Sequence, residues 1–366
     1  MSLTESENPL RNNSSHRASI GKKRRFSRAK LAYAFFLLIL VFGTVFLAEF
    51  IALARTTRLP RDIFLMGFAA TPNSLVDDTR INSMGFTGDS LDLIKREETI
   101  RILTLGGSAM FDRRMTERLK DSFNAISFNR VEIIGGALRT HTTASSVLKY
   151  KLLSKYKPDF VLIYDGINDL WANHYAREDF QADYSHLNPW YKRNVCLDYS
   201  VICRLFYNEW IYRKPAQIVW QTVYRDSPAG DVFRQNLITL IQSIRANGSV
   251  PILMTFAWSI PDNYTIESFQ SGSLGYNNPT KYDSAPVEMW GSVGYVREGL
   301  QANNNTVVEI ARGNNVLLID QERLIGKDLY WFGDVCHLSE EGTDRFIRNI
   351  TSFFIDNKLV LRRQTD

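Results

Sequence analysis

The chain holds few cysteines, three among 366 residues. Three thiols permit one internal disulfide at most. Cys196 and Cys203 could pair, leaving Cys336 over; three unpaired buried thiols are the equal alternative. His141, His174 and His186 stand at no ligand spacing relative to these cysteines, so no metal site is expected. Glycine-rich dinucleotide loops and Walker phosphate loops are absent, and no cofactor is expected. Internal repeats are absent too. Outside the first thirty residues the chain also lacks any excess of positive charge. Those thirty hold eight Lys or Arg against two acids, a net of six, so the +5 of the whole chain leaves the remainder at about minus one. A body that is nearly neutral gives no support for a nucleic-acid partner.

What the sequence does have is one long apolar run. After the polar, Ser-rich, basic tail of residues 1–30, expected to be a disordered cytoplasmic segment, residues 31–54 are almost wholly apolar, and 31–48 carry no charge. Twenty-four helical residues span about 36 Å at 1.5 Å each, enough for a hydrocarbon core of roughly 30 Å. A cleaved signal peptide is the competing reading, but its apolar part is shorter and ends in a small-residue cleavage site, whereas Arg55 follows here at once. We therefore expect an uncleaved single-pass anchor. The basic flank puts the N-terminus in the cytoplasm and the body outside it, in a periplasm, a lumen or the exterior. Sequons at Asn247, Asn263, Asn304 and Asn349 matter only in a host that glycosylates in its secretory pathway.

Residues 55–98 read as a connector with turn signals at Pro60, Pro72, Gly85 and Gly88. From residue 99 to 366 the pattern is that of one α/β domain. Short apolar runs at 100–107, 130–136, 159–166, 250–256 and 315–320 read as buried strands, the first three ending in glycine. Helical patterns lie near 113–126, 142–156, 232–246, 293–312 and 339–354. Alternation of this kind predicts a central parallel sheet with helices on both faces, and ligands beyond the C-terminal strand ends. An aromatic-rich stretch at about 175–231 breaks the rhythm. It is either a cap over the site or an excursion with its own small core.

Three segments carry candidate chemistry. Ser108 follows the first strand and the glycines Gly106 and Gly107, a turn that would project its hydroxyl from the sheet edge. Asn168 sits in the turn after the third strand, where its amide can donate to an oxyanion. Asp334 and His337 lie three residues apart before the last helix, a spacing that makes an Asp–His hydrogen bond easy. Acyl transfer by serine needs a hydroxyl, an imidazole to take its proton and a carboxylate to fix the imidazole tautomer.

In order, Gly106-Gly107-Ser108, Gly166-Ile167-Asn168-Asp169 and Asp334-Val335-Cys336-His337 resemble the blocks of the SGNH, or GDSL-type, hydrolase superfamily. Residues 81–88 also resemble a leader found before the first block in anchored members, and the likeness covers about 80–357. It implies a three-layer flavodoxin-like sandwich and a Ser-His-Asp hydrolase. It also implies an oxyanion hole made by the Ser108 N–H, a backbone N–H of the second block and the Asn168 side chain. The literal motif Gly88-Asp89-Ser90-Leu91 follows no buried strand and is set aside as a decoy. Aligned without gaps, the second block places Ala137 where the family has glycine, with Gly136 as the alternative donor. The expected substrate is an acylated glycan or lipid, O-acetyl foremost. Transfer of the acyl group to a glycan by the same triad, and a non-catalytic glycan-binding or scaffold protein of the same fold, are the alternatives.

Overall fold

The computed structural model describes residues 28–56, 73–76, 79–88, 90–111, 114–187, 200, 202–203, 219–224, 228–279 and 284–360. The chain divides into two compact units, 1–57 and 58–366. The described part of the first is a single helix, α1 (Arg28–Thr56). Its stretch Arg28–Ile51 is long and apolar enough to cross a membrane, and length and composition fit an anchor or a signal sequence alike. Most of the expected cytoplasmic tail, together with Cys196, lies outside the described residues.

The second unit is built on five parallel strands. They are β1 (Thr99–Gly106), β2 (Arg130–Gly135), β3 (Phe160–Tyr164), β4 (Val250–Met254) and β5 (Leu317–Ile319), in the order β2-β1-β3-β4-β5. All five apolar runs of the sequence became strands because parallel strands covered by helices on both faces have no polar side to show. Alternate side chains serve opposite layers. Ile102, Leu162, Ile252 and Ile319 pack with α2 (Met115–Ile126) and α6 (Glu340–Asp356). Leu103, Val161 and Leu253 pack with α3 (Thr143–Leu153), α4 (Pro228–Ala246) and the C-terminal half of α5 (Val293–Gly313). The fold is the expected three-layer α/β sandwich. One charge inside it needed a partner. Arg101, opposite Glu132 in register, bonds that carboxylate at 2.8 Å and the Tyr156 carbonyl at 2.8 Å. Without both, a guanidinium 1% exposed would be prohibitively costly.

The connector expectation for 55–98 needs correcting in its described part. Ile81 and Phe86 are buried in the domain core, and Thr87 exchanges backbone hydrogen bonds with Gly135 on the outer edge of β2. This segment covers an edge strand that would otherwise present unpaired N–H and C=O groups. Around the aromatic-rich stretch, the described Tyr184 joins Ala144, Ala172, Ala229 and Val232 in a small satellite core. Among the sequons, Asn304 is buried and its amide spans the N–H and carbonyl of Phe256, which leaves it no room for a glycan.

The strand order reverses between β1 and β3, which makes the crevice beyond their C-terminal ends a switch point for ligand binding. Gly106 pairs with Tyr164 at the end of both strands. The two turns that follow therefore leave the sheet side by side.

Candidate active site

Gly106 ends β1 at φ +157°, and a Cβ there would stand 2.5 Å from the Tyr164 carbonyl oxygen. The chain can then turn sharply into the short helix Ser108–Phe111, with Ser108 at its first position. Gly107 is needed for a different reason. A Cβ on it would lie 2.6 Å from Asn168 Nδ2, so glycine is what lets the amide of the third block come against the serine turn. Asn168 itself is 5% exposed. Its Nδ2 donates to the His141 carbonyl at 2.9 Å, and its Oδ1 accepts from Trp290 Nε1 at 3.2 Å. Asp169 beside it serves the scaffold, since its carboxylate takes the Thr143 N–H and hydroxyl and so ties this turn to the start of α3.

Asp334 and His337 occupy a tight loop closed by the Gly333 N–H to the His337 carbonyl at 2.8 Å. Two residues later Ser339 caps α6 by accepting from the Gly342 N–H. The fully buried Asp334 is surrounded by donors. Oδ1 accepts from the Cys336 and His337 N–H groups at 2.9 and 2.7 Å, and Oδ2 from the Ala285 N–H at 2.8 Å. Oδ2 also meets His337 Nδ1 at 2.7 Å. With a carboxylate oxygen on that side, Nδ1 carries the proton. Nε2 is then the acceptor for the Ser108 hydroxyl, 2.7 Å away. Burial works against a charged His337 ring, but the Asp334 carboxylate more than offsets it, with Cys336 adding to it, and holds the pKa well above the usual 6.5. The Cys336 thiol, 3.6 Å from Nδ1, is driven up to about 12 by burial, so it is no rival nucleophile near neutral pH.

Ser108, Asn168 and His337 open onto a cleft of about 310 Å³, walled by Arg139, Thr140, Trp171, Ser284, Ala285, Met289 and Trp290. The structure thus brings together four of the expected residues: Ser108, Asn168, Asp334 and His337. The second-block donors require correction. The Gly136 N–H is already bonded to the Thr104 carbonyl at 2.9 Å, and Ala137 is completely buried in the core and away from the cleft lining. The chain reaches the cleft at Arg139 and Thr140. There Thr140 adopts φ +62°, the left-handed conformation for which glycine is the ordinary choice. Two groups went unforeseen, the Ala285 N–H and Trp290, because a backbone donor and an indole on a distant loop leave no spacing signature. Ser90 is exposed, and its hydroxyl pairs with Ser83 at 2.8 Å. His174 is buried against Trp290 outside the cleft lining, and no described residue of 175–231 lines the cleft.

Among solved structures, a GDSL-like lipase from Bacteroides thetaiotaomicron is similar at 12% identity, over 73% of this chain and 93% of its own, with a TM-score of 0.42. A putative acylhydrolase from Bacteroides fragilis is similar at 12% identity over 72% and 89%, TM-score 0.42. A catalytic mutant of an acetylxylan esterase from Geobacillus stearothermophilus is similar at 13% identity over 69% and 93%, TM-score 0.40. No curated protein matches the sequence significantly. The model of the GDSL-like lipase/acylhydrolase family matches residues 88–345, well over half of the chain. With that match, the chain belongs to the GDSL-like lipase/acylhydrolase family.

Proposed function

We propose that this acylhydrolase-family domain is a serine esterase in which Ser108 forms an acyl-enzyme. The observation that carries the reading is the continuous line Ser108 Oγ, His337 Nε2, His337 Nδ1, Asp334 Oδ2, with 2.7 Å at each hydrogen bond. Ser108 Oγ attacks the ester carbonyl carbon while its proton passes to His337 Nε2. The carbonyl oxygen becomes an oxyanion, received by the Ser108 N–H, the second N–H of Asn168 Nδ2 and the Thr140 N–H. Preorganised donors of this kind stabilise the developing charge without reorganisation. The tetrahedral adduct collapses, the alkoxide leaves with the proton held by His337, and the acyl group stays on Ser108. A water, or an acceptor hydroxyl if the group is transferred, then gives its proton to His337 and takes the acyl group by the same steps in reverse.

The substrate we propose is an acyl ester, O-acetyl foremost, on a glycan or lipid outside the cytoplasm. Trp171, Met289 and Trp290 supply an apolar wall suited to a short acyl chain or the face of a sugar ring. The outside location rests on the basic flank of α1. Protease added to intact cells is expected to degrade the domain while leaving a cytoplasmic control intact. A domain that stays whole, but is cut once the cells are lysed, would reverse the orientation.

The covalent step is tested by trapping it. A short pulse of p-nitrophenyl acetate followed by acid quench should raise the mass of a peptide containing Ser108 by about 42 Da, an acetyl group in place of the hydroxyl hydrogen. An adduct confined to any other nucleophile sinks the proposal.

A further inference from the structure

We infer that Trp290 is a positioning residue for the Asn168 oxyanion donor, acting through its indole N–H rather than as cleft wall alone. This role deepens the esterase reading above and rests on it. The oxygen and nitrogen ends of a primary amide are nearly the same in shape, and only their partners decide which end is which. At Asn168 both partners agree. The Trp290 N–H points at one end of the amide from 3.2 Å, and the His141 carbonyl faces the other from 2.9 Å. Turning the amide over would set N–H against N–H and oxygen against oxygen at a site 5% exposed, where water cannot repair the loss. In the observed orientation Nδ2 uses one N–H on His141. The second has no acceptor among the described residues, and Asn168 lines the cleft beside Ser108. Without the indole N–H, a single hydrogen bond would hold the amide, and rotation about the terminal torsion would be soft.

Trp290 is itself held firmly enough to do this. It is 2% exposed. Its backbone N–H donates to the Val287 carbonyl at 2.9 Å. Its carbonyl accepts from His174 Nε2 at 2.6 Å. The Gln221 N–H occupies His174 Nδ1 at 3.1 Å, which places the imidazole proton on Nε2. The indole stacks on Trp171, with centroids 6.1 Å apart and the planes at 21°, and Trp171 Nε1 is tied to the Met289 carbonyl. A rigid donor therefore fixes the amide from outside the catalytic blocks. The same short loop also supplies the Ala285 N–H to Asp334, so one segment orients both the oxyanion donor and the carboxylate.

The test uses the full chain with Trp290 replaced by benzothienylalanine, which keeps the bicyclic shape and the cleft wall but has no N–H. Trp290→Phe is its genetic companion. With p-nitrophenyl acetate, we expect kcat to fall about 10- to 100-fold, short of the full loss of an oxyanion donor, with KM within about threefold. The pH dependence should keep its midpoint, because the Asp334–His337 pair is untouched. In an Asn168→Ala background the same replacement should cost less than about twofold, since its target is gone. Equal losses in both backgrounds, or no loss of kcat in either, overturn the inference. Ser108→Ala run in parallel separates the two levels. If that variant stays active the esterase reading itself fails. If it is inactive while Trp290 and Asn168 behave additively, only the positioning role fails.

Discussion

Replacing Ser108 with alanine is expected to lower kcat/KM for an aryl ester by about 10⁶-fold, because serine, imidazole and carboxylate act as a unit and the loss of the nucleophile alone removes nearly all that the unit supplies. The residue left behind should still bind substrate, so KM should change little. The contrast that makes this informative is Ser90→Ala, which is expected to leave kcat/KM within about twofold, like an ordinary surface change. Ser90 stands in the only literal Gly-Asp-Ser-Leu of the chain, yet its hydroxyl meets Ser83 Oγ at 2.8 Å and accepts from the Ser83 N–H at 3.3 Å. Among the described residues its hydroxyl meets another serine and no base that could take its proton. Ser108, by contrast, has its hydroxyl 2.7 Å from an imidazole nitrogen whose other side is fixed by a buried carboxylate. Steady-state kinetics on both variants, with circular dichroism to confirm folding, decide the matter. Activity above about a tenth of wild type in Ser108→Ala, or its collapse in Ser90→Ala, would assign the wrong serine.

The contrast between the two serines shows what the sequence could carry. Ser108 was legible because a buried strand and two glycines precede it, a physical context, whereas Ser90 matched only letters. The five strands were legible for the same kind of reason: residues such as Ile102 and Leu103 serve opposite layers, so both must be apolar. Asp334 and His337 were legible because a three-residue spacing lets a tight loop join them. Backbone donors were not. The N–H of residue 137 and that of residue 140 look alike in a sequence, and choosing between them requires knowing that β2 runs on to Gly135 and that the Gly136 N–H is spent on Thr104. Thr140, which lines the cleft in a left-handed conformation, carries no glycine to mark it in the sequence. Ala285 and Trp290 escape for a related reason. They lie 49 residues before Asp334 and 122 after Asn168, and only the fold makes them neighbours.

Asp334→Asn is expected to lower kcat by about 10⁴-fold while leaving the protein folded, and the cause is the wrong tautomer of His337. In the wild type Oδ1 takes two backbone N–H groups, which an Asn oxygen can also do. The amide nitrogen then falls where Oδ2 was, facing the Ala285 N–H and His337 Nδ1. A nitrogen donor at that place leaves Nδ1 as the acceptor and moves the imidazole proton to Nε2. Nε2 then points a hydrogen at Ser108 and has no lone pair for its proton. The pH profile supplies an independent check. Activity needs neutral His337, so kcat/KM must rise with pH through the histidine pKa. In the wild type burial opposes the charged ring, but Asp334 wins and places that midpoint above 6.5. Removing the carboxylate charge leaves the burial in force, so the midpoint of the residual activity must move to lower pH. Profiles of kcat/KM for both proteins between about pH 5 and pH 9 measure it, in the range where an imidazole titrates. A midpoint that stays where it was, or rises, would mean that Asp334 is not the group setting the charge on His337, and the proton relay through that ring would have to be drawn differently.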